Sequence, residues 1–299
     1  HEIFHDNETI ELVVVNEHNY FLFTPLLHEV ATGGQSRENI VEPIRKVLCC
    51  LSDLYLARAT AVDPNNKIVK TNCVPISYNY LVVALGATTN FFGTPGAEEN
   101  SFTLKSLEDA VKIKNHITQS LELVCHRQNE QKNEFNIVII GGGPTGVELI
   151  AELEEFCHGT LAELYHHVDV RDMINLHLIQ SNKELIPNFS PQLRKKTLNI
   201  LQRKNINLHL DTKVQEVIKN SVVLNNGESH PGSFFIMTGA GTTLDFNSPY
   251  AKQWDVLNKT GKHYSYLVKG LSDTETPHYE GHVESFSFGS QKIEDLPIG

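Results

Sequence analysis

Apolar and polar positions change rhythm along the chain, and the changes outline alternating strands and helices. Residues 11–15 are a continuous apolar, β-branched run that predicts a buried strand, ended by polar Asn16, Glu17, His18 and Asn19. An apolar loop interrupted by Pro25 follows at 20–27. Residues 38–51 carry a helical period, with Ile40, Ile44, Val47 and Leu48 on one face and Pro43 suited to a first turn. Residues 54–62 and 67–72 predict paired strands around a turn at 63–66. Residues 80–86 predict a second buried strand ending in Gly86, and Ser106 predicts the cap of a helix over 107 to about 124.

Residues 126–134 are polar and without period, which marks a linker. Beyond it comes a strand at 136–140, a glycine loop at 141–146, a helix over 147–165 and a strand at 175–179. Ser190-Pro191 opens a further helix with Leu193, Leu198 and Leu201 toward the core. A strand at 206–210, an antiparallel layer over 214–224 turning at Asn225-Asn226-Gly227, and a strand at 232–237 complete the unit. This order is that of a doubly wound α/β domain with a parallel sheet.

Charge and composition narrow the chemistry. A net charge of −11 on 299 residues argues against nucleic acid as a partner, because phosphate binding needs a basic surface. It argues equally against general adhesion to anionic lipid, and no apolar run reaches membrane-spanning length. The five cysteines (Cys49, Cys50, Cys73, Cys125 and Cys157) have no C-x-x-C spacing, so they give neither a disulfide framework nor a zinc site. The histidines, among them His158, His166 and His167, read as exposed polar residues, and no metal is expected.

Gly141-Gly142-Gly143-Pro144-Thr145-Gly146 fits G-x-G-x-x-G between an apolar strand and an amphipathic helix. In that context Gly141 allows the tight turn, Gly143 admits a pyrophosphate to the backbone, and Gly146 lets helix and strand close on each other. The helix N-terminus offers unpaired N–H groups and partial positive charge. Where an acidic residue is expected to bind the adenine ribose stands Gln180, followed by Ser181, Asn182 and Lys183. Gln180 can hydrogen-bond a diol but repels no 2′-phosphate, so the site excludes neither NADH nor NADPH.

Six segments in order carry a family resemblance. They are Asn-Tyr-Phe-Leu-Phe-Thr-Pro-Leu-Leu (19–27), Glu-Val-Ala-Thr-Gly (29–33), Ile-Val-Glu-Pro-Ile-Arg (40–45), Leu-Val-Val-Ala-Leu-Gly (81–86), Leu-Lys-Ser-Leu-Glu-Asp-Ala (104–110) and Gly-Gly-Gly-Pro-Thr-Gly-Val-Glu (141–148). Over residues 9–240 the chain resembles type II NADH dehydrogenases. The resemblance implies an α/β fold of two Rossmann-like dinucleotide-binding domains, with the FAD domain interrupted by the NADH domain. The expected boundaries are 1–125 for the first part of the FAD domain, 135–243 for the NAD(P)H domain and 244–299 for a return to the FAD domain.

It further implies hydride transfer from NADH to FAD and electron transfer to a quinone. Asn16 and Glu17, with Phe21 nearby, would contact the adenosine ribose of FAD; Ala59 would lie by the adenine, and Thr24-Pro25 by the isoalloxazine. Gly86, Gly239, Gly289 and Ser290 join the cofactor-binding set, as do Gly141 to Gly146 and Gln180 for NADH. Glu148 is the catalytic candidate, near nicotinamide and flavin; on the residues alone it is equally an acid stabilised by a helix dipole. Phe21 and Phe23 are core aromatics by default. The family likeness places the full-length protein peripherally on the cytoplasmic, inner face of the cell membrane, attached through segments absent here, and is compatible with a homodimer.

Three departures stand against this. The FAD pyrophosphate loop has no counterpart after His1, Ser290 replaces the aspartate that binds the flavin ribityl chain, and quinone-side and membrane-docking segments are missing before Gly299. The reading preferred here is a piece of a longer chain. The rival is an FAD-deficient, catalytically silent nucleotide-binding or redox-sensing relative. A disulfide or sulfide:quinone reductase would need paired cysteines that the spacing does not supply.

Overall fold

The computed structural model describes residues 10–48, 52–86, 88–126, 135–166, 169–204 and 206–241, with the strands Tyr266–Lys269, Pro277–Tyr279, Phe286–Phe288 and Gln291–Lys292. The chain forms two compact units: 1–21, 41–88 and 241–299 make one, and 22–40 with 89–240 make the other. Segments 22–40 and 89–125, expected in the first domain, thus cluster with the glycine loop.

In the glycine-loop unit, five strands form a parallel sheet in the order Phe102–Thr103, Phe234–Met237, Phe135–Ile140, Ile174–Ile179, Asn207–His209. From Phe135–Ile140 the chain steps outward through two strands, then returns to the other side with Phe234–Met237. That reversal puts the switch point at the carboxyl end of Phe135–Ile140, where ligands of such sheets bind.

Both faces of this sheet are covered, which is why its strands read as unbroken apolar runs. Ile137 and Ile139 join a cluster with Ile113, Ile117 and Leu121 of the helix Leu107–His126 and Leu149, Ile150 and Leu153 of Pro144–Glu155. Val138 and Ile140, on the opposite face, pack with Val217, Val222 and Leu224 of the antiparallel layer Val214–Ile218, Ser221–Leu224, Ser229–Pro231. The helix Leu107–His126 begins at a reciprocal cap: Ser106 Oγ accepts the Asp109 N–H at 3.0 Å, and Asp109 Oδ2 accepts the Ser106 N–H at 3.1 Å. Ser190 caps Pro191–Arg203, whose Leu201 is buried while Leu193 is exposed.

In the other unit, Leu12–Asn16 pairs in parallel with Ser52–Leu56. The expected strand 54–62 is therefore divided at Ala57 and Arg58; its second part, Ala59–Asp63, pairs antiparallel with Ile68–Thr71. The expected helix 38–51 is also divided. Arg37–Ile40, which belongs to the glycine-loop unit, is a 3-10 turn, Val41–Pro43 a strand, and the α-helix spans Ile44–Leu48. Proline pushes its predecessor to extended backbone, so Pro43 closes a strand rather than opening a helix. Tyr80–Val83 pairs antiparallel with Tyr266–Lys269, but Tyr80 and Val82 are exposed, not buried as expected. Phe21 and Phe23, expected in a core, are also exposed.

The helix expected over 147–165 starts earlier, at Pro144, and passes after Glu155 into a π-helical turn, Phe156–Leu161. Among the described residues, no helix is long and apolar enough to cross a membrane.

Candidate functional site

The glycine loop lies at the switch point and is held from three sides. Gly141 has φ +119°, a conformation that favours glycine, and a Cβ there would meet Thr238 Oγ1 at 2.7 Å. The Thr238 hydroxyl lies 3.1 and 3.0 Å from the Ile140 and Gly141 carbonyls, to which it donates. At Gly146 a Cβ would stand 1.9 Å from the Gly141 carbonyl oxygen, so only glycine lets the helix approach the loop this closely. Gly142 is covered by Leu185 and Gln180.

Gly143 differs. It has ordinary backbone geometry, and nothing lies within 4 Å of a Cβ built on it. It is the N-cap of Pro144–Glu155, no side chain caps that end, and Pro144 takes up the first helical position. The first-turn N–H groups of Thr145 and Gly146 have no acceptor within the helix. Open space in front of Gly143 and unpaired donors at a helix N-terminus fit a phosphate group.

Gln180 is placed otherwise than as a simple substitute for the acid. It is 7% exposed; its Oε1 accepts the Gly142 N–H at 3.0 Å and its Nε2 donates to the Glu184 carbonyl at 3.4 Å. Its amide thus holds the loop in shape. Lys183 is exposed and stands 4.0 Å from Asp211. Gly239 has no room for a side chain, because the Asn90 carbonyl and the Phe92 ring approach it; its own carbonyl accepts the Asn90 N–H at 3.0 Å.

The helix that follows the Thr-Pro turn meets the helix that carries Glu148. Thr24–Leu26 is a 3-10 turn continuing directly into the helix Leu27–Thr32, which buries Leu27, Val30 and Ala31 against Leu107–His126 and Pro144–Glu155. This packing sets His28 Nδ1 3.9 Å from Glu148 Oε2, with the imidazole largely covered and the carboxylate half exposed. His28 was not singled out from sequence; it follows the Thr-Pro-Leu-Leu segment immediately, which is the only signal pointing to it.

In the other unit, Asn16 ends its strand and donates from Nδ2 to the His18 carbonyl at 2.7 Å, holding the following turn. Glu17 Oε1 accepts from both Nε and Nη2 of Arg58. Hydrogen bonding from that guanidinium holds the Glu17 carboxyl below the usual carboxylate range, so it stays ionised and exposed at the strand end. Ala59 begins the adjoining strand, and Gly86 has φ +70° with open space where a Cβ would project. An ionised acceptor beside polar strand ends fits a ribose diol. Gly289 and Ser290 lie outside the described residues.

Three further residues gather without a sequence signal: His177, His209 and His230, each on a different strand. His158, read from sequence as exposed, is instead largely covered, with Nε2 3.0 Å from the Ile174 carbonyl. Of the cysteines with described side chains, Cys73 is exposed and Cys157 buried, both free.

Residues 4–249 match the model of the pyridine nucleotide-disulphide oxidoreductase family. The chain is 32% identical over 229 residues to an external alternative NAD(P)H-ubiquinone oxidoreductase B1, mitochondrial, of Solanum tuberosum, covering 71% of this chain and 39% of that one. It is 31% identical over 255 residues to a probable NADH dehydrogenase of Dictyostelium discoideum, covering 81% and 56%. Among solved structures, NDH2 from Plasmodium falciparum in complex with NADH superposes with a TM-score of 0.74 at 27% identity, over 81% of this chain and 52% of that one. The chain thus spans 39–56% of the length of these relatives. The resemblance to type II NADH dehydrogenases and the two-Rossmann α/β fold read from the motifs are borne out, and the chain belongs to the pyridine nucleotide-disulphide oxidoreductase family.

Proposed function

We propose that this chain carries the nucleotide-binding part of a flavin-dependent NADH:quinone oxidoreductase. The observation that carries the reading is the open cradle at Gly143, on a helix that also bears Glu148, 3.9 Å from His28 of the helix that follows the Thr24-Pro25 turn. The NADH-bound relative from Plasmodium falciparum and the ubiquinone oxidoreductases among the relatives support it.

In this reading Gly143, Thr145 and Gly146 present backbone N–H groups to the pyrophosphate of NADH, and Gly142 is kept in place by Gln180. Asn16, Glu17 and Ala59 receive the adenosine of FAD, with Phe21, Gly86, Gly289 and Ser290 in the same set. Thr24 and Pro25 take the isoalloxazine side. When bound, the flavin supplies the acceptor for hydride and the donor of electrons to a quinone. Glu148, half exposed and next to His28, is the group placed to hold or pass a proton at its carboxylate. Peripheral attachment to a membrane surface and a homodimer belong to the same proposal; the potato relative is named as mitochondrial.

The test is spectroscopic. Purified chain should carry flavin absorption that NADH bleaches and a soluble quinone restores. A colourless chain that still binds NADH would favour the silent nucleotide-binding relative, and a chain that binds no nucleotide would overturn both readings. Gly143→Ala should leave the fold intact, given the open space, yet weaken NADH binding about tenfold, the equivalent of roughly 1.4 kcal/mol. Glu148→Gln should keep NADH affinity while slowing turnover at least about tenfold.

A further inference from the structure

Away from the nucleotide cradle, the parallel sheet and the antiparallel layer bring three imidazoles together. His177 lies in the strand Ile174–Ile179, in register with Val138 on one side and Asn207 on the other. Side chains alternate along a strand, so His177 shares the face of Ile179, which packs with the antiparallel layer. His209 pairs with Ile179, two places further along the neighbouring strand, and stands on that same face. His230 comes from the layer itself, opposite Val222.

The nitrogens meet. His177 Nδ1 and His209 Nε2 are 3.2 Å apart, and one ligand nitrogen from each of the three residues lies within 4.8 Å of the others. His230 Nε2 is buried without a hydrogen-bond partner, a state that buried polar atoms in folded proteins rarely keep. The rings lie 4.5 to 5.5 Å apart between centroids. Burial, with the neighbouring imidazoles, lowers His177, and burial lowers His209 and His230, so neutral rings are favoured at all three; His177 Nδ1 and His209 Nε2 share a hydrogen bond, and a tautomer change in the donor ring would free its nitrogen for an ion.

We propose that His177, His209 and His230 form a three-imidazole site for a divalent transition metal of the zinc class. Zinc–nitrogen bonds of about 2.0–2.1 Å at tetrahedral angles put ligand nitrogens about 3.4 Å apart. The His177–His209 separation of 3.2 Å already matches that edge. Closing the largest separation, 4.8 Å, takes about 1.5 Å of movement from one ring. Three neutral imidazoles with no carboxylate or thiolate suit zinc, cobalt(II), nickel(II) or copper(II) rather than magnesium or calcium. His209 and His230 are only partly buried, which leaves an approach for the ion and a fourth position for water. Strand positions in two packed sheets hold the ligands, so an ion bound there ties the antiparallel layer to the parallel sheet.

The sequence contains fifteen histidines, so loose surface binding must be told apart from a built site. Chelated and dialysed protein should take up one equivalent of Zn2+ per chain in equilibrium dialysis and gain thermal stability with it. Co2+ should produce the visible absorption of a tetrahedral nitrogen-liganded ion, which scattered surface histidines do not give. His209→Ala and His230→Ala should each lower Zn2+ affinity by more than about tenfold and remove the cobalt band. His158→Ala should keep both, and Mg2+ should not compete. Absence of the cobalt band in the unmodified chain overturns the site without any variant having to fold. Persistence of the band in a folded His230→Ala protein overturns it too.

Discussion

In the glycine-loop unit Ile113, Ile117, Leu121, Ile137, Ile139, Leu149 and Leu153 are wholly excluded from solvent. In the unit that holds Leu12–Asn16, Ile44 and Val83 are buried, but several apolar side chains of similar size keep much of their surface: Leu12 is 41% exposed, Leu56 48% and Val82 60%. Both hydrophobic clusters of the described residues belong entirely to the former. Two regions with equally apolar strands thus bind a nucleotide, in the proposed reading, by different means. One shapes its site through close packing. The other offers polar groups at a strand end, half-buried Asn16 and exposed Glu17. A substitution at a closely packed position of the glycine loop, unlike the open Gly143, should therefore disturb fold and binding together, whereas one at the exposed site should separate them.

The sharpest break in that comparison comes from one glycine in each unit. Gly146→Ala puts a methyl 1.9 Å from the Gly141 carbonyl, and neither partner is the flexible end of a side chain. The expected cost is about 3 kcal/mol, with loss of NADH binding, read by chemical denaturation and by nucleotide titration. Gly86→Ala meets nothing within 4 Å and carries only the strain of φ +70°, about 1 kcal/mol. Equal costs at the two positions would remove the distinction between the units.

Polar groups sharpen it at a smaller scale. Gln180→Leu leaves the buried Gly142 N–H without its acceptor and should cost about 2 kcal/mol, with weaker NADH binding. Asn16→Ala removes a hydrogen bond at the surface, to the His18 carbonyl, and should cost less than about 0.5 kcal/mol. Comparable unfolding midpoints for the two variants would argue that Gln180 is not positioning the loop.

Most of the glycine-loop unit was legible because each of its signals is local. Gly141, Gly143 and Gly146 lie within six residues, Ser106 and Ser190 cap the helices they precede, and the strands on either side are continuous apolar runs. Where two rules competed at one place, the reading went wrong. Helical period at Ile40, Ile44 and Val47 suggested one long helix, but Pro43 forced extended backbone before it. Apolar strands such as residues 80–83 were read as buried because hydrophobicity states a preference for cover without stating what supplies it. His28 and Glu148, and the histidines 177, 209 and 230, were not legible as groups. They meet through packing between elements 21 to 120 residues apart, and no spacing rule reaches across such separations.

Cysteine chemistry tests the contrast without changing the protein. Cys73, in the open unit, is exposed, whereas Cys157 lies inside the π-helical turn of the packed unit. Burial, with Glu154 nearby, pushes the Cys157 thiol up to about 12. At pH 8 its thiolate is then about one part in ten thousand, and no reagent reaches it while the unit is closed. Mild alkylation of folded protein followed by peptide mapping should modify Cys73 and spare Cys157 until denaturant opens the core. The same shift has a signed effect on stability. An unfolded Cys157 ionises above its ordinary value of 9.0 while the folded one stays protonated, so stability is full below that pH and declines as pH rises toward 12. Cys157→Ala should flatten that part of the decline. Early labelling of Cys157, at a rate like that of Cys73, would mean that the packed unit opens as readily as its neighbour.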